Sequence, residues 1–126
     1  MAMLHEETSS LIIKAFYKVY NTLGYGFLEK VYENAMMIEL KKSGLKAVKQ
    51  KSLKVYYEEE LVGEYFADIL VFDTIIIELK AATALTEQHE AQLLNYLKAT
   101  KIEVGLLLNF GSKPEISRKL FENKYK

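Results

Sequence analysis

The apolar positions at the start of the chain recur every three or four residues, which is the spacing of a helix that buries one face. In the first stretch these positions are Ile12, Phe16, Val19 and Leu23. Ser9 or Ser10 is suited to cap this helix, and the Gly-Tyr-Gly sequence at residues 24–26 breaks it. A second helix is predicted over residues 27–42, before a Ser-Gly pair. Its buried stripe is expected to consist of Leu28, Val31, Ala35 and Ile38.

After residue 46 the period of the pattern falls toward two, which is typical of strands. Strand-like runs lie at residues 55–57, at residues 65–72 and around Glu78. A turn is predicted at residues 58–60, between the first two runs, and another near Asp73. The middle of the chain therefore predicts about three strands.

The last third of the chain predicts a helix, a strand and a shorter helix. Thr86 marks a helix start, and the apolar positions extend that helix to about Ala99. The nearly continuous apolar run at residues 104–108 predicts a strand covered on both faces, and Pro114 introduces a helix over residues 115–121. Because parallel neighbours need a crossover connection, this order predicts an α/β or α+β fold with a mixed central sheet flanked by helices.

Length and composition bound the class of protein. A chain of 126 residues, 50% of them apolar, fits one domain over residues 1–126. The absence of cysteine excludes disulfides and thiolate zinc sites and is compatible with a reducing cytosol. The first seven residues lack a basic segment followed by an apolar one, and the longest apolar runs are strand-sized. We therefore expect no signal peptide, no membrane span and a cytoplasmic location.

The charges balance, with 17 Lys and Arg against 17 Asp and Glu. That balance argues mildly against binding to phosphate backbones, because such binding draws its affinity from Lys and Arg. Lysines are nevertheless concentrated in residues 41–54 and again in residues 113–126. These stretches are suited either to follow a polyanion or to remain as solvated surface charge.

Three ionisable side chains interrupt the strand-like runs where apolar residues are expected. Asp68 lies in one run, and Glu78 and Lys80 flank Leu79 in the next. A charge inside a dry sheet is strongly destabilising unless it is paired, neutralised or bound to a metal. These residues spell the D…E-x-K signature of metal-dependent nucleases. The alternative is that Glu78 and Lys80 form an exposed ion pair at a sheet edge.

The loop between the two strands decides whether these side chains meet. A two-residue turn would place Asp68 opposite Leu79 and the two acids on opposite faces of the sheet. An odd-length loop or a bulge would place Asp68 opposite Lys80 and Leu70 opposite Glu78, with all three charged groups on one face. We predict the odd-length loop.

The oxygen ligands of this constellation predict its metal. Asp68 and Glu78, joined by a carbonyl from Leu79, suit Mg²⁺ or Mn²⁺. Such an ion binds the scissile phosphate and lowers the pKa of a bound water. Lys80, beside two carboxylates, is expected to stay protonated and to stabilise charge on the phosphorus.

Two helices carry polar side chains that could join this site. Glu29 and Glu33 lie one turn apart on the second helix, so that either could reach a metal directly or through water. The alternative is that Glu29, with Lys30 and Lys42 nearby, is a surface charge. The third helix carries a polar face suited to hold a phosphate and to stack a base or sugar, formed by His89, Gln92 and Tyr96. A histidine near a helix start is also commonly a capping residue.

Several sequence blocks in a fixed order carry a family resemblance. The segment from Gly26 to Tyr32 matches the pattern G-x-x-E-x-x-Y, and residues 67–68, 78–81 and 89–97 provide the later blocks. Together they resemble the GxxExxY family over most of the chain, from the first helix to about residue 110. The resemblance implies the PD-(D/E)XK nuclease superfamily, with a restriction-endonuclease-like αβββαβ core and a Mg²⁺-dependent phosphodiesterase site.

The same resemblance assigns roles to individual residues. Those that it implies for catalysis and metal binding are Asp68, Glu78, Lys80 and either Glu29 or Glu33. Gln92 and Tyr96 resemble the Q-x-x-x-Y feature of the exonuclease-like branch. Ala67 stands where the superfamily name has proline, a common replacement that leaves the implied ligands intact.

Three functions are open at this point. The first is a nuclease that cuts DNA more readily than RNA. The second is a nucleic-acid-binding or assembly module that keeps the fold without turnover, which the neutral charge and small size favour. The third is a hydrolase of another phosphorylated substrate. A homodimer is also considered, because a dimer surface or the core could contain Tyr17, Tyr20, Tyr25, Met36 and Met37.

Overall fold

The computed structural model describes residues 5–126. The elements in chain order are α1 (Glu6–Leu23), α2 (Glu29–Lys42), β1 (Ala47–Tyr57), β2 (Glu60–Val71), β3 (Ile75–Lys80), α3 (Glu87–Ala99), β4 (Val104–Phe110) and β5 (Pro114–Leu120), before a 3₁₀ turn at Asn123–Tyr125. The expectation that the chain lacks a signal peptide falls partly on residues 1–4, which lie outside the described residues. Within residues 5–126 no helix combines the length and the apolar character needed to cross a membrane.

The five strands form one mixed sheet in the order β1-β2-β3-β4-β5. β3 and β4 are parallel, and every other neighbouring pair is antiparallel. Helix α3 makes the crossover that a parallel pair requires. The predicted α+β class and mixed sheet are therefore confirmed, with the αβββαβ order extended by β5.

Helices cover both faces of the sheet. One face packs against α1 and α2, and its buried residues include Ile69, Ile77, Leu79, Leu106 and Leu108. The other face packs against Leu93 and Leu97 of α3, through Ala67, Leu70, Ile76 and Leu107. This two-sided cover explains why β4 is a continuous apolar run, since all seven of its residues are buried.

The predicted buried stripe of α2 is wrong. Leu28, Val31 and Ile38 are exposed, and Ala35 is only partly buried. The face that packs against the sheet carries instead Tyr32, Glu33, Met36 and Leu40. Both sets of residues recur at helical spacing, and the large side chains of Tyr32 and Met36 fill the core against Phe110 and α1.

The ends of the chain also differ from the prediction. Helix α1 begins at Glu6, before the serines predicted to cap it, so that Ser9 is a buried residue inside the helix. The predicted helix at residues 115–121 is wrong, because this segment is strand β5, antiparallel to β4. Pro114 is the first residue of an edge strand, where a missing N–H does not interrupt the ladder.

The side chains considered for a dimer surface are divided between core and surface. Met36 is fully buried, Met37 packs against the core, and the Tyr20 hydroxyl donates to the Gly111 carbonyl oxygen at 2.7 Å. Tyr17 and Tyr25 are exposed. Tyr20 and Met36 therefore do not contribute to the dimer surface considered from the sequence.

Candidate active site

The β2–β3 ladder is short and stops just before the charged residues. It pairs Val71 with Ile75, Leu70 with Ile76 and Ile69 with Ile77. The connecting loop has three residues, 72–74, so the predicted odd length is confirmed. Two of its residues have positive φ angles, 52° and 56°, as in hairpin turns that follow the twist of the strands.

The predicted pairing of Asp68 with Lys80 is wrong by two residues. The observed ladder, continued by one step, places Asp68 level with Glu78. The alternation of side chains along a strand determines the face of the sheet on which each side chain lies, but not the residue of the neighbouring strand with which it pairs. A shift of the pairing by two residues therefore leaves every side chain on its predicted face. As a result, two carboxyl groups meet at the point where β2 and β3 separate.

The side chain of Asp68 accepts a hydrogen bond from a backbone N–H of β3 that has no backbone partner in β2, because the β2–β3 ladder ends before it. Its Oδ2 accepts a hydrogen bond from the backbone N–H of Leu79 at 2.8 Å. Burial raises the pKa of Asp68, against the lowering effect of this hydrogen bond. The negative charge of Glu33 raises that pKa further, whereas the positive charge of Lys80 lowers it.

Glu78 is the most strongly perturbed acid of the site. Burial, followed by the negative charge of Asp68, raises the pKa of Glu78 to about 8. A hydrogen bond between the two side chains lowers the pKa of Asp68 and raises that of Glu78. Within residues 5–126, Oε1 of Glu78 is buried with no hydrogen-bond partner. The surroundings of Glu78 therefore favour its protonated form more strongly than an exposed position would.

Lys80 ends β3 next to this carboxyl pair. It lies level with Asn109 of β4, and its charge lowers the pKa values of both Asp68 and Glu78. The parallel pairing of β3 with β4 continues as far as Lys80, although the pairing with β2 has ended. Lys80 is thus held on a rigid strand beside two acids.

A cavity of about 300 Å³ connects Asp68 with the N-terminal half of α2. Glu33, only 4% exposed, accepts a hydrogen bond from Gln50 at 2.8 Å and forms an ion pair with Lys30 at 3.0 Å. Glu29 lines the same cavity and is exposed. Both acids predicted on this helix therefore line the cavity of Asp68. Glu33 is the one that already has a hydrogen bond and an ion pair with neighbouring side chains.

Comparison with known proteins identifies the family of the chain. The family model that describes the PD-(D/E)XK nuclease superfamily matches residues 6–119. The chain belongs to the PD-(D/E)XK nuclease superfamily. Nucleases of this superfamily generally use divalent metals and bind nucleic acid.

A solved structure described as the crystal structure of SSO0001 shares the fold. It aligns with a TM-score of 0.58 and 18% sequence identity over 94% of this chain. The alignment covers 60% of that chain, so the present chain spans only part of its length. A search of curated proteins finds no match.

In this superfamily member the three predicted residues of α3 are not gathered in one place. His89 Nδ1 accepts a hydrogen bond from the backbone N–H of Thr86, and Thr86 Oγ1 accepts one from the backbone N–H of His89, each at 3.2 Å. His89 is therefore part of the cap at the start of α3. Gln92 is exposed and lines a surface cavity with His89. Tyr96 instead stacks on Tyr65, with ring centroids 3.4 Å apart.

Two residues of the site were not predicted from the sequence. Gln50, with a φ of 54°, interrupts the regular geometry of β1 and directs its amide to Glu33. Burial, followed by the negative charge of Glu78, raises the pKa of Tyr65, whose hydroxyl has no hydrogen-bond partner in the described part of the chain. The poor alternation around Gln50 was the one signal in the sequence, and Tyr65 resembled any strand tyrosine.

The oxygen donors of the candidate site can be compared with what a divalent cation requires. In residues 5–126 no three acidic, histidine or cysteine side chains are gathered closely enough to hold a metal by themselves. Mg²⁺ commonly takes only one or two carboxylates and fills its remaining positions with water and substrate phosphate. The carboxyl pair of Asp68 and Glu78, with one unpartnered buried oxygen, fits that mode of binding.

Proposed function

We propose that this protein is a Mg²⁺- or Mn²⁺-dependent nuclease of the GxxExxY type, which hydrolyses phosphodiester bonds of DNA more readily than those of RNA. The single observation that carries the proposal is the buried carboxyl pair of Asp68 and Glu78 beside Lys80, at the point where β2 and β3 part. Two buried carboxyl groups, one with an unpartnered oxygen, are a destabilising arrangement in a sheet, which a divalent cation would relieve.

The residues proposed to hold the cation directly are Asp68, Glu78 and the Leu79 carbonyl, and Glu29, which lines the cavity of Asp68, would reach it through water. When bound, Mg²⁺ or Mn²⁺ would lower the pKa of a water and stabilise charge on the phosphate. The positive charge of Lys80 would stabilise negative charge that develops on the scissile phosphate. Glu33, held by Lys30 and Gln50, orients the α2 wall of the cavity and adds negative charge toward Asp68.

Helix α3 supplies the proposed contacts to the rest of the substrate. Gln92 is exposed and suited to bond to phosphate or sugar, and His89 retains Nε2 for the same purpose, since Nδ1 is used in capping. Tyr96 and Tyr65 form a stacked pair next to Glu78. We assign Tyr96 to the packing of the site and to the edge of the substrate-binding surface.

A cleavage assay tests the proposed activity. Purified protein is incubated with single-stranded, duplex and branched DNA and with RNA, in Mg²⁺, in Mn²⁺ and in EDTA. We expect metal-dependent cleavage that Asp68→Asn abolishes and Lys80→Ala strongly reduces, whereas the control Lys101→Ala, exposed in the loop before β4, retains it. Equal cleavage by wild type and site variants would show contamination, and no cleavage of any substrate would refute the proposal.

The neutral charge of the chain supports one alternative, a nucleic-acid-binding or assembly module without turnover. A single small domain also offers limited surface with which to hold a duplex. A binding titration at several salt concentrations distinguishes the two functions. Salt-dependent affinity for DNA without metal-dependent cleavage would favour the module.

A further inference from the structure

A second cavity, of about 610 Å³, lies next to the cavity of Asp68. One wall is the loop between α1 and α2, with Tyr25 and Phe27, and the other is the backbone of residues 81–83, directly after Lys80. Glu29 lines both this cavity and the smaller one. A ligand in the larger cavity would therefore be adjacent to Glu29 and to the cavity that Asp68 lines.

The lining of this cavity suits a flat uncharged group better than a phosphate. Tyr25 is 64% exposed and Phe27 is 46% exposed, so both rings are accessible to a ligand in the cavity. Among the described residues that line it, Glu29 is the only charged one. An aromatic rim without basic side chains offers stacking and apolar contact but no counter-charge for a phosphate.

The aromatic wall is held in place by Tyr32. The Tyr32 hydroxyl donates to the Gly24 carbonyl oxygen at 2.7 Å and accepts from the backbone N–H of Phe27 at 3.2 Å. Its ring stacks on Phe110 with centroids 4.1 Å apart, and the ring of Phe27 packs edge-on against it. Gly26 has a φ of 109°, which side-chain-bearing residues rarely adopt. The G-x-x-E-x-x-Y spacing thus builds this wall.

The opposite wall is equally fixed. The buried amide of Asn109 accepts from the Ala82 N–H at 2.9 Å and donates to the Ala82 carbonyl oxygen at 3.0 Å. A Cβ added at Gly111 would lie 2.4 Å from the same carbonyl oxygen, so only glycine permits this close approach. Since both walls are set before any ligand arrives, binding loses little free energy to ordering the loops.

We propose that this cavity binds one unpaired nucleobase of a nucleic-acid strand, stacked on Tyr25 and Phe27, next to the phosphate bound at Asp68 and Glu78. The inference rests on the proposed nuclease function and specifies its substrate class. A base inside a duplex cannot enter such a cavity, so the substrate is a strand that is single, frayed or flipped at this position.

The test measures binding without cleavage. Fluorescence anisotropy of a labelled single-stranded oligonucleotide is recorded in EDTA and again in Ca²⁺, for wild type, Tyr25→Ala, Tyr25→Phe and the control Tyr125→Ala, which removes an exposed tyrosine far from the cavity. Loss of one stacking contact should weaken binding about tenfold in Tyr25→Ala. Tyr25→Phe and Tyr125→Ala should bind as wild type does, and affinity for a blunt duplex should be the same for all four proteins.

An abasic scan of the oligonucleotide makes the test specific. Removing the base at one position should weaken binding to wild type about tenfold and weaken binding to Tyr25→Ala by much less, because the variant has already lost the Tyr25 contact and keeps only that of Phe27. Independent, additive effects of the two changes would overturn the proposal. No measurable affinity of the wild type for the single strand would overturn it as well.

The base site and the nuclease function fail in different ways. If the protein cleaves DNA with wild-type KM in Tyr25→Ala, the base site is wrong and the nuclease remains. If the abasic scan shows coupling but no substrate is cleaved, the base site remains and the proposed hydrolysis is wrong. Thermal unfolding of Tyr25→Ala, whose side chain is exposed, should match that of wild type and so excludes misfolding as the cause.

Discussion

The two halves of strand β3 differ in pairing and in chemistry. Ile75, Ile76 and Ile77 are fully buried and pair with β2 on one side and β4 on the other. The following residues, Glu78 to Lys80, keep their pairing with β4 but lose β2. One strand thus has a half that builds the core and a half that carries ionisable groups.

The comparison shows how a sheet accommodates buried charge. Where the ladder continues, the backbone is satisfied by the neighbouring strand and the side chains are apolar. Where the β2–β3 ladder ends, the carboxylate of Asp68 accepts the hydrogen bond of the Leu79 N–H. Asp68 also lines a cavity there, together with Glu29 and Glu33 of α2. We infer that changes in the first half alter stability, and that changes in the second alter chemistry.

The largest expected effect is on catalysis, in the half that carries charge. Lys80→Ala should lower the rate of DNA cleavage about 10³-fold, because it removes a positive charge positioned near the scissile phosphate. Its thermal unfolding temperature should stay close to that of wild type. Single-turnover cleavage under saturating Mg²⁺ measures the rate, and a loss of less than tenfold would contradict the proposed role of Lys80.

Changes in the apolar half of β3 should lower the free energy of unfolding and leave the rate of cleavage nearly unchanged. Ile76→Ala removes a fully buried side chain packed against Leu93 and Leu97, so we expect the free energy of unfolding to fall by about 3 kcal/mol. Cleavage per folded molecule should stay within a few-fold of wild type. Urea denaturation and the same cleavage assay check both halves of this prediction, and a catalytic loss equal to that of Lys80→Ala would break the comparison.

The stability of the metal-free protein should depend on pH through Glu78. Its pKa is raised from an ordinary value of 4.5 to about 8, so the fold favours the protonated acid. The stabilisation is fully present below pH 4.5 and is lost as the pH rises through about 8. Urea denaturation in EDTA should therefore give a lower free energy of unfolding at pH 8 than at pH 5.

Glu78→Gln sharpens this pH prediction. The neutral amide can donate to Asp68 as the protonated acid does, so the variant should be more stable than wild type at pH 8, where the wild-type fold disfavours the ionised acid. Most of the pH dependence should disappear, with a remainder from Asp68, whose pKa is also raised. A variant as pH-sensitive as wild type would contradict the assignment of the proton to Glu78.

The smallest expected effect is at His89. His89→Ala removes half of the capping box of α3, so we expect about 1 kcal/mol of destabilisation. Cleavage should change by no more than a few-fold if Nε2 contributes only a contact to the substrate. Thermal unfolding and the rate of cleavage measure the two effects, and a rate loss near that of Lys80→Ala would give His89 a direct role in the chemistry.

Much of the fold could be predicted from periodicity, but absolute positions could not. The helix start at Thr86 and the odd loop after Val71 were predicted correctly, because capping residues and strand alternation are local signals. The partner of Asp68 was missed by two residues, since a shift of two leaves every side chain on the same face. The site needed that register, because it brings two carboxyl groups together.

Two elements were misjudged because local patterns had two solutions. Helix α2 has apolar stripes on two faces, and only the packing against Phe110 selects the one with Tyr32. Pro114 suits the first turn of a helix and equally the start of an edge strand, and pairing with β4 decides for the strand. In both cases the structure is decided by contacts between elements that are distant in the sequence. The pattern of residues along the chain does not contain this information.

The position of Mn²⁺ in the crystal tests the central claim most directly. Crystals of the wild-type protein soaked in Mn²⁺ and measured at the manganese absorption edge should show an anomalous peak bound by the carboxylates of Asp68 and Glu78. The peak should be absent from crystals of Asp68→Asn treated in the same way. No peak at this pair in the wild type, or a peak only at other acids, would contradict a metal-dependent nuclease built on these residues.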